Sequence, residues 1–312
     1  MMSRLAAAAA AIVCGVAGGC LYLAVSLATP GALILVYMTQ LPLFVAGLWF
    51  GTGAAALAGI TGSALLLASS KLLDAVLFAA VNAIPVVLLV RQALLARTGS
   101  DGTLAWYPPG LLTAWLTGLA LAGIGGALLL FGGPGGLHAT LQDVVSQVLD
   151  RLARRPLPNR DQVAEALALL IPGVIAASWM VMAVINATLA QGLLARFGAN
   201  WRPTPDLAQL TLPLWVPLAL GLAAAATMLG GAFHFLGINM IIALLVPFCL
   251  AGLAVLHTAA RRLSHPTMVL VCFYTVAATF GWPFLVVALV GLLESWLGLR
   301  RRLAPQGAST DG

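Results

Sequence analysis

The sequence predicts an all-α protein, a polytopic bundle of eight to ten transmembrane helices with both ends of the chain in the cytoplasm. Three observations support this prediction. Hydrophobic residues make up 62% of the 312 residues and charged residues only 8%, whereas a soluble domain carries about 25% charged residues. Apolar stretches long enough to cross a bilayer, roughly 20 residues each, follow one another along most of the chain. Basic residues fall mainly on one side of these stretches.

Each predicted span is an apolar run bounded by charged, glycine or proline residues. We expect spans near 5–27, 31–50, 52–70, 74–95, 110–131, 166–190, 211–230, 236–257, 266–280 and 283–299. Two neighbouring pairs leave the count open, because glycine interrupts the run at 50–53 and Gly281-Trp282-Pro283 separates the last two short runs. Each pair is either two full spans or a re-entrant hairpin, so the count is eight to ten.

The basic residues between the spans predict the orientation of the chain. With the N-terminus inside, the cytoplasmic side receives Arg4, Arg91, Arg97, Arg196, Arg202, Arg261, Arg262, Arg300, Arg301 and Arg302. The opposite side receives Lys71, Arg151, Arg154, Arg155 and Arg160. Basic residues are enriched in cytoplasmic loops of membrane proteins. Both termini are therefore predicted inside.

One loop is long and polar. Within residues 137–165, apolar residues recur at helical spacing between charged ones, which predicts an amphipathic helix on the external face. Such a helix either rests on its own bundle or lies on the membrane as a lid or docking element. We expect residues 1–302 to form a single integral membrane domain, and residues 303–312 a disordered cytoplasmic tail.

Small residues repeat every four positions in the second and third spans, at Gly47, Gly51, Ala55 and Gly59. If the helix is continuous, these positions share one face. Small residues allow helix backbones to approach closely in lipid. The series predicts a helix-packing face, used either inside the bundle or against a partner subunit.

Neutral amides inside the spans are the candidate binding residues. They are Gln40, Asn82, Asn186 and Asn239. Pro42 cannot donate to the carbonyl of Met38, and the Gln40 amide lies close enough to replace the missing donor. An unpaired amide in hydrocarbon costs several kcal/mol. The amides therefore either satisfy kinked backbones or converge on a cavity that binds a small substrate.

The sequence offers no pattern that points to catalysis, to a metal or to a cofactor. It contains no nucleophile, zinc or phosphate-binding motif of the common kinds. Glu294 is the single acid inside a predicted span and lies six residues before the arginines at 300–302, with which we expect it to pair near the interface. The net charge of +6 suits anionic lipid headgroups better than nucleic acid. We expect no enzyme activity.

Two stretches carry a resemblance to a known family. LPLFVAGLWFGTGAAALAG (41–59) resembles the Pro-Leu…Gly-Leu…Gly stretch of the YybS-like bacterial membrane proteins, which have no assigned function. GINMIIALLVPFCLAGLAVLHTAARR (237–262) resembles that family's Asn…Gly-Leu-Ala stretch through Asn239, Gly252, Leu253 and Ala254. That family is distantly similar to substrate-binding S components of energy-coupling-factor vitamin transporters, and to MreD-like cell-shape proteins.

Two functions follow, and the sequence leaves both open. One is a binding or transport component for a small, largely uncharged solute in the bacterial cytoplasmic membrane. Its energy would come from a partner such as a transport ATPase complex, since the chain has no nucleotide motif. The other is a structural or assembly protein of the cell envelope, whose small-residue faces would contact other envelope proteins.

Overall fold

The computed structural model describes residues 4–27, 29–100, 102–131, 136–152 and 159–302. These residues are almost entirely helical, apart from a hairpin of β1 (Ala96–Thr98) and β2 (Leu104–Trp106). The helices are α1 (Arg4–Leu23), α2 (Pro30–Tyr37), α3 (Gln40–Phe50), α4 (Thr52–Ser69), α5 (Leu72–Phe78), α6 (Ile84–Ala93), α7 (Pro109–Leu130), α8 (Gly136–Leu152), α9 (Arg160–Arg196), α10 (Trp215–Ala226), α11 (Gly231–Ala260), α12 (Pro266–Phe280), α13 (Pro283–Leu297) and α14 (Leu299–Arg302). The predicted all-α helix bundle is confirmed.

Seven helical segments among the described residues are long and apolar enough to cross a membrane, and an eighth is formed if α12 and α13 are taken together. The seven are Arg4–Leu27, Gly31–Phe50, Thr52–Ser69, Leu72–Ala93, Pro109–Leu130, Arg160–Arg196 and Gly231–Ala260. The predicted span at 211–230 is shorter than expected, because α10 has 12 residues. Twelve residues give about 18 Å of helix, short of the roughly 30 Å hydrocarbon layer.

The chain packs into two compact units, a division that hydropathy does not reveal. The first contains Met1–Pro108 and Val181–Pro205, and the second contains Pro109–Met180 and Asp206–Gly312. In the first unit the core gathers around Leu43, Phe78 and Val90. In the second it gathers around Val216, Leu244 and Phe248.

Small residues bring helices of the first unit together, as the four-residue repeat predicts for three of its positions. A Cβ on Gly47 would lie 2.9 Å from the Cβ of Ala55, and one on Gly59 would lie 2.7 Å from the Cβ of Ala83. Ala55 itself is fully buried. These contacts hold α3 against α4 and α4 against the segment that follows α5.

Gly51 differs from the other three small residues of the series. It has a backbone φ of 95°, and nothing lies within 4 Å of where its Cβ would be. A residue with positive φ does not continue a helix, so Gly51 separates α3 from α4. The shared face depended on a continuous helix, and the structure places the helix break within the interruption expected at 50–53.

The last pair of long helices, α12 and α13, is bent by 117° between the two axes. Arg261, just before α12, pairs with Asp206 at 3.5 Å. Arg300, just after α13, donates hydrogen bonds of 2.7 Å to the carbonyls of Ala208 and Leu210. Both ends of the pair therefore lie at the same end of the second unit. The pair is a helical hairpin rather than a single broken crossing.

The polar loop contains the amphipathic helix α8, whose Val145 is buried while Val144 and Val148 are exposed. After it, Arg160 at the start of α9 pairs with Asp150 at 2.6 Å. The hydrogen bond from Arg160 holds the pKa of the Asp150 carboxyl below its ordinary value. Residues 153–158 of this loop and the predicted tail at 303–312 lie outside the described residues.

We expect reporter fusions to place the loops as the arginine distribution predicts. Fusions within 95–108 should report a cytoplasmic location and fusions within 138–160 an external one, since four and five long segments precede them. Residues 206–210 follow the sixth long segment and contact both ends of the α12–α13 hairpin, so fusions after Arg302 should also report a cytoplasmic location. A pair of reporters, one active only outside and one only inside, measures each position. A cytoplasmic signal from 138–160 would reverse the orientation of every later segment.

Candidate functional site

Three of the four predicted amide residues lie in the first unit, and two of them, Gln40 and Asn82, lie near the middle of their apolar segments. Gln40 is the tenth residue of Gly31–Phe50, and Asn82 is the eleventh of Leu72–Ala93. Asn186 is the eleventh residue from the end of α9. Ten or eleven residues span about 15 Å of helix, which is half the hydrocarbon thickness. Gln40 and Asn82 therefore lie near mid-span, and Asn186 reaches the Gln40 segment through its bond to the Tyr37 carbonyl.

A break in the helix lies next to Gln40. The chain leaves α2 at Tyr37, turns at Met38 and Thr39, and enters α3. Pro42 has no N–H and cannot donate to the carbonyl of Met38. This carbonyl instead accepts a hydrogen bond from the backbone N–H of Leu41 at 3.0 Å. The expected bond from the Gln40 side chain to this carbonyl is therefore not needed, and the amide is directed elsewhere.

The Gln40 amide bridges to the segment between α5 and α6. Its Nε2 donates to the carbonyl of Val81 at 3.3 Å. Pro85 is four residues after Val81 and has no N–H, so it cannot make the usual helical bond to that carbonyl. Residues Ala79–Ala83 form a turn of π-helix, which contains the buried Asn82. Turns of this kind occur often at functional sites.

Asn186 makes the corresponding bridge from α9. Its Nδ2 donates to the carbonyl of Met182 at 2.8 Å and to that of Tyr37 at 2.6 Å. In a continuous helix Leu41 would donate to Tyr37, but at this break it donates to Met38. The Asn186 amide thus ties α9 to the broken end of α2.

Three oxygens beside the break have no hydrogen-bond donor from the described residues. They are Thr39 Oγ1, Gln40 Oε1 and Asn186 Oδ1. The exposed fraction is 1% for Thr39 and 0% for Gln40 and Asn186. A buried polar atom without a partner costs roughly 1–3 kcal/mol. We call these three residues the polar centre.

Thr39 is the member of the polar centre that the predicted site did not include. Serine and threonine hydroxyls in helices commonly donate to the carbonyl four residues earlier, and Thr61, Thr117 and Thr258 do so at 2.8 Å. The corresponding carbonyl for Thr39 is that of Leu35, but the Thr39 hydroxyl, which stands at the break before α3, makes no bond to it or to any other described atom. The break therefore releases the Thr39 hydroxyl, and no local sequence pattern shows this.

Asn239 lies in the second unit and is fully satisfied. Its Oδ1 accepts from the backbone of Gly173 at 2.6 Å, and its Nδ2 donates to the carbonyls of Leu169 and Phe235 at 3.0 and 2.7 Å. Leu169 and Gly173 are four residues apart on α9, next to Pro172. The amide bridges these two backbone groups. The bonding of Asn239 is that of a helix–helix tie.

A cavity of about 510 Å³ lies in the second unit, beside the end of α13. Glu294 and Arg300 on its wall form a buried ion pair of 2.8 Å, which confirms the pairing expected for Glu294. The other two guanidinium nitrogens of Arg300 donate to backbone carbonyls. Because the polar groups of the ion pair are engaged with one another and with the backbone, this pair fastens the end of α13.

Arg202, which the sequence analysis counts among the arginines of the cytoplasmic loops, is a buried side chain that links two parts of the first unit. It is 5% exposed, and its guanidinium donates to the carbonyls of Ala93 and Tyr107 at 3.1 and 2.8 Å. Burial lowers the pKa of this guanidinium from its ordinary value. Arg202 thereby holds both ends of the hairpin loop, close to the end of the first unit.

The described residues contain no group of three or more His, Cys, Asp or Glu side chains placed to hold a metal ion. The chemistry that the structure does bring together consists of neutral oxygens. The hydroxyl and the two amide oxygens of the polar centre accept hydrogen bonds or coordinate a positive charge.

Comparison with known proteins supports the assignment of this chain as a membrane protein. Residues 157–295 match the model of a family described as predicted membrane protein (DUF2232), a range of less than half of the 312-residue chain. The matched range includes Asn186 and Asn239 but not Thr39 or Gln40. No curated protein and no solved structure matches the chain. The chain is a multi-pass membrane protein, and its similarity to that family carries no reaction or substrate.

Proposed function

We propose that the chain is the membrane-embedded binding component of a system that transports a small solute. The observation that carries this proposal is the polar centre, with its three buried oxygens at mid-span beside a broken helix. Irregular backbone at membrane depth is tolerated where protein or a cavity surrounds it, and transporters use broken helices for binding sites. A packed scaffold has no need of the three unpartnered oxygens, each of which costs roughly 1–3 kcal/mol when it is buried without a hydrogen bond.

The finer features of this proposal come from the resemblance of the sequence to the YybS-like proteins and, more distantly, to S components. A bacterial cytoplasmic membrane is the proposed location. A partner such as a transport ATPase complex is one proposed source of energy. No reaction is assigned to the chain.

A role as an envelope scaffold is the alternative. Its supporting observation is the pair Gly118 and Gly126 on α7, where no atom lies within 4 Å of the place that a Cβ would take. Small residues not used within a chain are suited to close packing against another helix. This alternative predicts co-purifying membrane proteins rather than a bound solute.

We expect a small molecule to co-purify with the wild-type protein and to be lost from an Asn186→Leu variant. The Leu side chain removes an oxygen of the polar centre, and a site built around hydrogen bonds rejects its ligand strongly when one group is lost. Native-membrane purification followed by mass spectrometry of bound small molecules and proteins measures the result.

The matched control is Asn239→Leu, which also replaces a fully buried amide but lies outside the polar centre. It should lose stability, by about 1–2 kcal/mol, and keep the bound solute in its folded fraction. Equal small-molecule content in wild type and Asn186→Leu would contradict the solute-binding function. A stoichiometric membrane partner without any solute would favour the scaffold.

A further inference from the structure

In the polar centre the amide nitrogens make hydrogen bonds and the oxygens do not. The nitrogens of both amide side chains donate to backbone carbonyls. Gln40 donates to the carbonyl of Val81, and Asn186 donates to those of Tyr37 and Met182. Their oxygens, together with the hydroxyl of Thr39, have no donor among the described residues. Both amide oxygens can only accept hydrogen bonds, and the Thr39 hydroxyl is the one group of the centre that can also donate. Because acceptors predominate, a positively charged ligand fits the site better than a carboxylate or phosphate.

The orientation of each amide is fixed by its partners. The oxygen and nitrogen of a side-chain amide have nearly the same shape, so their positions are assigned from the hydrogen bonds that each atom makes. Flipping Asn186 would place its oxygen against the carbonyl oxygens of Tyr37 and Met182. Flipping Gln40 would do the same against Val81. The unpartnered atoms are therefore oxygens, all on side chains held by other bonds.

The charge of the site selects the class of ligand. Two amide oxygens and a hydroxyl are neutral, and no carboxylate belongs to the polar centre. Calcium and magnesium sites are normally built with carboxylates, which offset the double charge. Neutral carbonyl oxygens at selectivity filters and at unwound helices coordinate potassium and sodium instead.

We propose that the polar centre binds a monovalent alkali-metal cation, Na⁺ or K⁺, through Thr39 Oγ1, Gln40 Oε1 and Asn186 Oδ1. The role of the cation in transport rests on the proposed function, because it gives a solute-binding component a source of energy in an ion gradient. Cation binding itself uses the three oxygens, with water or solute oxygens completing the coordination, and does not depend on transport. A trapped water molecule, which also satisfies buried acceptors, is the competing occupant.

Thermal unfolding of the full chain in an uncharged detergent tests this inference. Melting temperatures are compared in NaCl, KCl and choline chloride at equal concentration and pH. A ligand that binds only the folded state raises the melting temperature in a saturable way. We expect a rise of several degrees with Na⁺ or K⁺ relative to choline. Equal melting temperatures in all three salts would leave water as the occupant and overturn the inference.

Thr39 offers a matched pair of variants. Thr39→Val has almost the same shape and removes an oxygen that makes no bond to the described protein, so it should fold and lose the cation-dependent rise. Thr39→Ser keeps the oxygen and should keep the rise. Asn239→Ala, a buried amide outside the centre, should lower all melting temperatures and keep the difference between salts. A rise that persists in Thr39→Val would place the cation elsewhere and overturn the inference.

The two proposals fail separately. Cation-dependent melting without any co-purifying solute supports the cation site and contradicts the transport function. A bound solute with no cation-dependent melting supports the function and contradicts the cation site.

Discussion

Gly291→Ala should unfold much of the second unit, although it adds a single methyl group. A Cβ at this position would overlap the carbonyl oxygen of Phe248 and lie 2.6 Å from the backbone nitrogen of Gly252. Backbone atoms cannot move aside as a flexible side chain can, so α11 and α13 must separate. Overpacking usually costs about 1–3 kcal/mol, and we expect this variant to lie at or above the top of that range. Denaturant unfolding in mixed micelles measures it.

Gly118→Ala is the matched control, since it makes the same change in the middle of α7, where no atom lies within 4 Å of the added Cβ. Alanine is the better helix former by about 1 kcal/mol, so this variant should be as stable as wild type or slightly more stable. If Gly291→Ala proves no less stable than Gly118→Ala, the close approach of α11 and α13 is not the source of their stability.

Arg300→Met should destabilise the protein by about 3–5 kcal/mol, the usual effect of removing one partner of a buried ion pair. The Arg300 and Glu294 side chains are 11% and 8% exposed. The change leaves Glu294 with its charge nearly out of water and takes the guanidinium donors from the carbonyls of Ala208 and Leu210. Thermal unfolding at low and high salt measures the loss, which should change little with salt.

Two further variants separate the buried charge from the general loss of an arginine. Arg302→Met removes an exposed arginine two residues away and should change stability by less than about 1 kcal/mol. Replacing Glu294 by Leu together with Arg300 by Met removes both charges and should recover part of the loss. A double variant as unstable as the sum of the single changes would show that the two side chains are not coupled.

The spans could be predicted closely because crossing a bilayer is a local requirement. About 20 apolar residues are needed whatever the neighbouring helices do, so the segment Leu72–Ala93 is visible in the sequence alone. The division of α9 between the two units, after Met180, has no such local signal in the sequence. The break at Gly281-Trp282-Pro283 is visible in the sequence, but whether α12 and α13 form two spans or a hairpin depends on where Arg261 and Arg300 find partners.

The candidate site could be predicted only in part, for a related reason. Composition shows that Gln40, Asn186 and Asn239 are amides within apolar runs and need partners. Whether each finds a full set depends on carbonyls released elsewhere in the chain, by Pro85 for Gln40 and by the break after α2 for Asn186. A search for Cys, His and carboxylate ligands also passes over neutral oxygens, and Thr39 is visible only once its own helix is seen to end.

The single-residue connection at Gly51 has a consequence for biogenesis. Between Gly31 and Ser69 the chain provides two long apolar segments with no polar loop between them for the translocation machinery to hold on one side. Neither α3 nor α4 emerges from the ribosome with a hydrophilic flank at their junction. With the N-terminus inside, two long segments precede Gly51, so the junction lies on the cytoplasmic side. That side receives only a turn, and we expect the two helices to partition into lipid together as a hairpin.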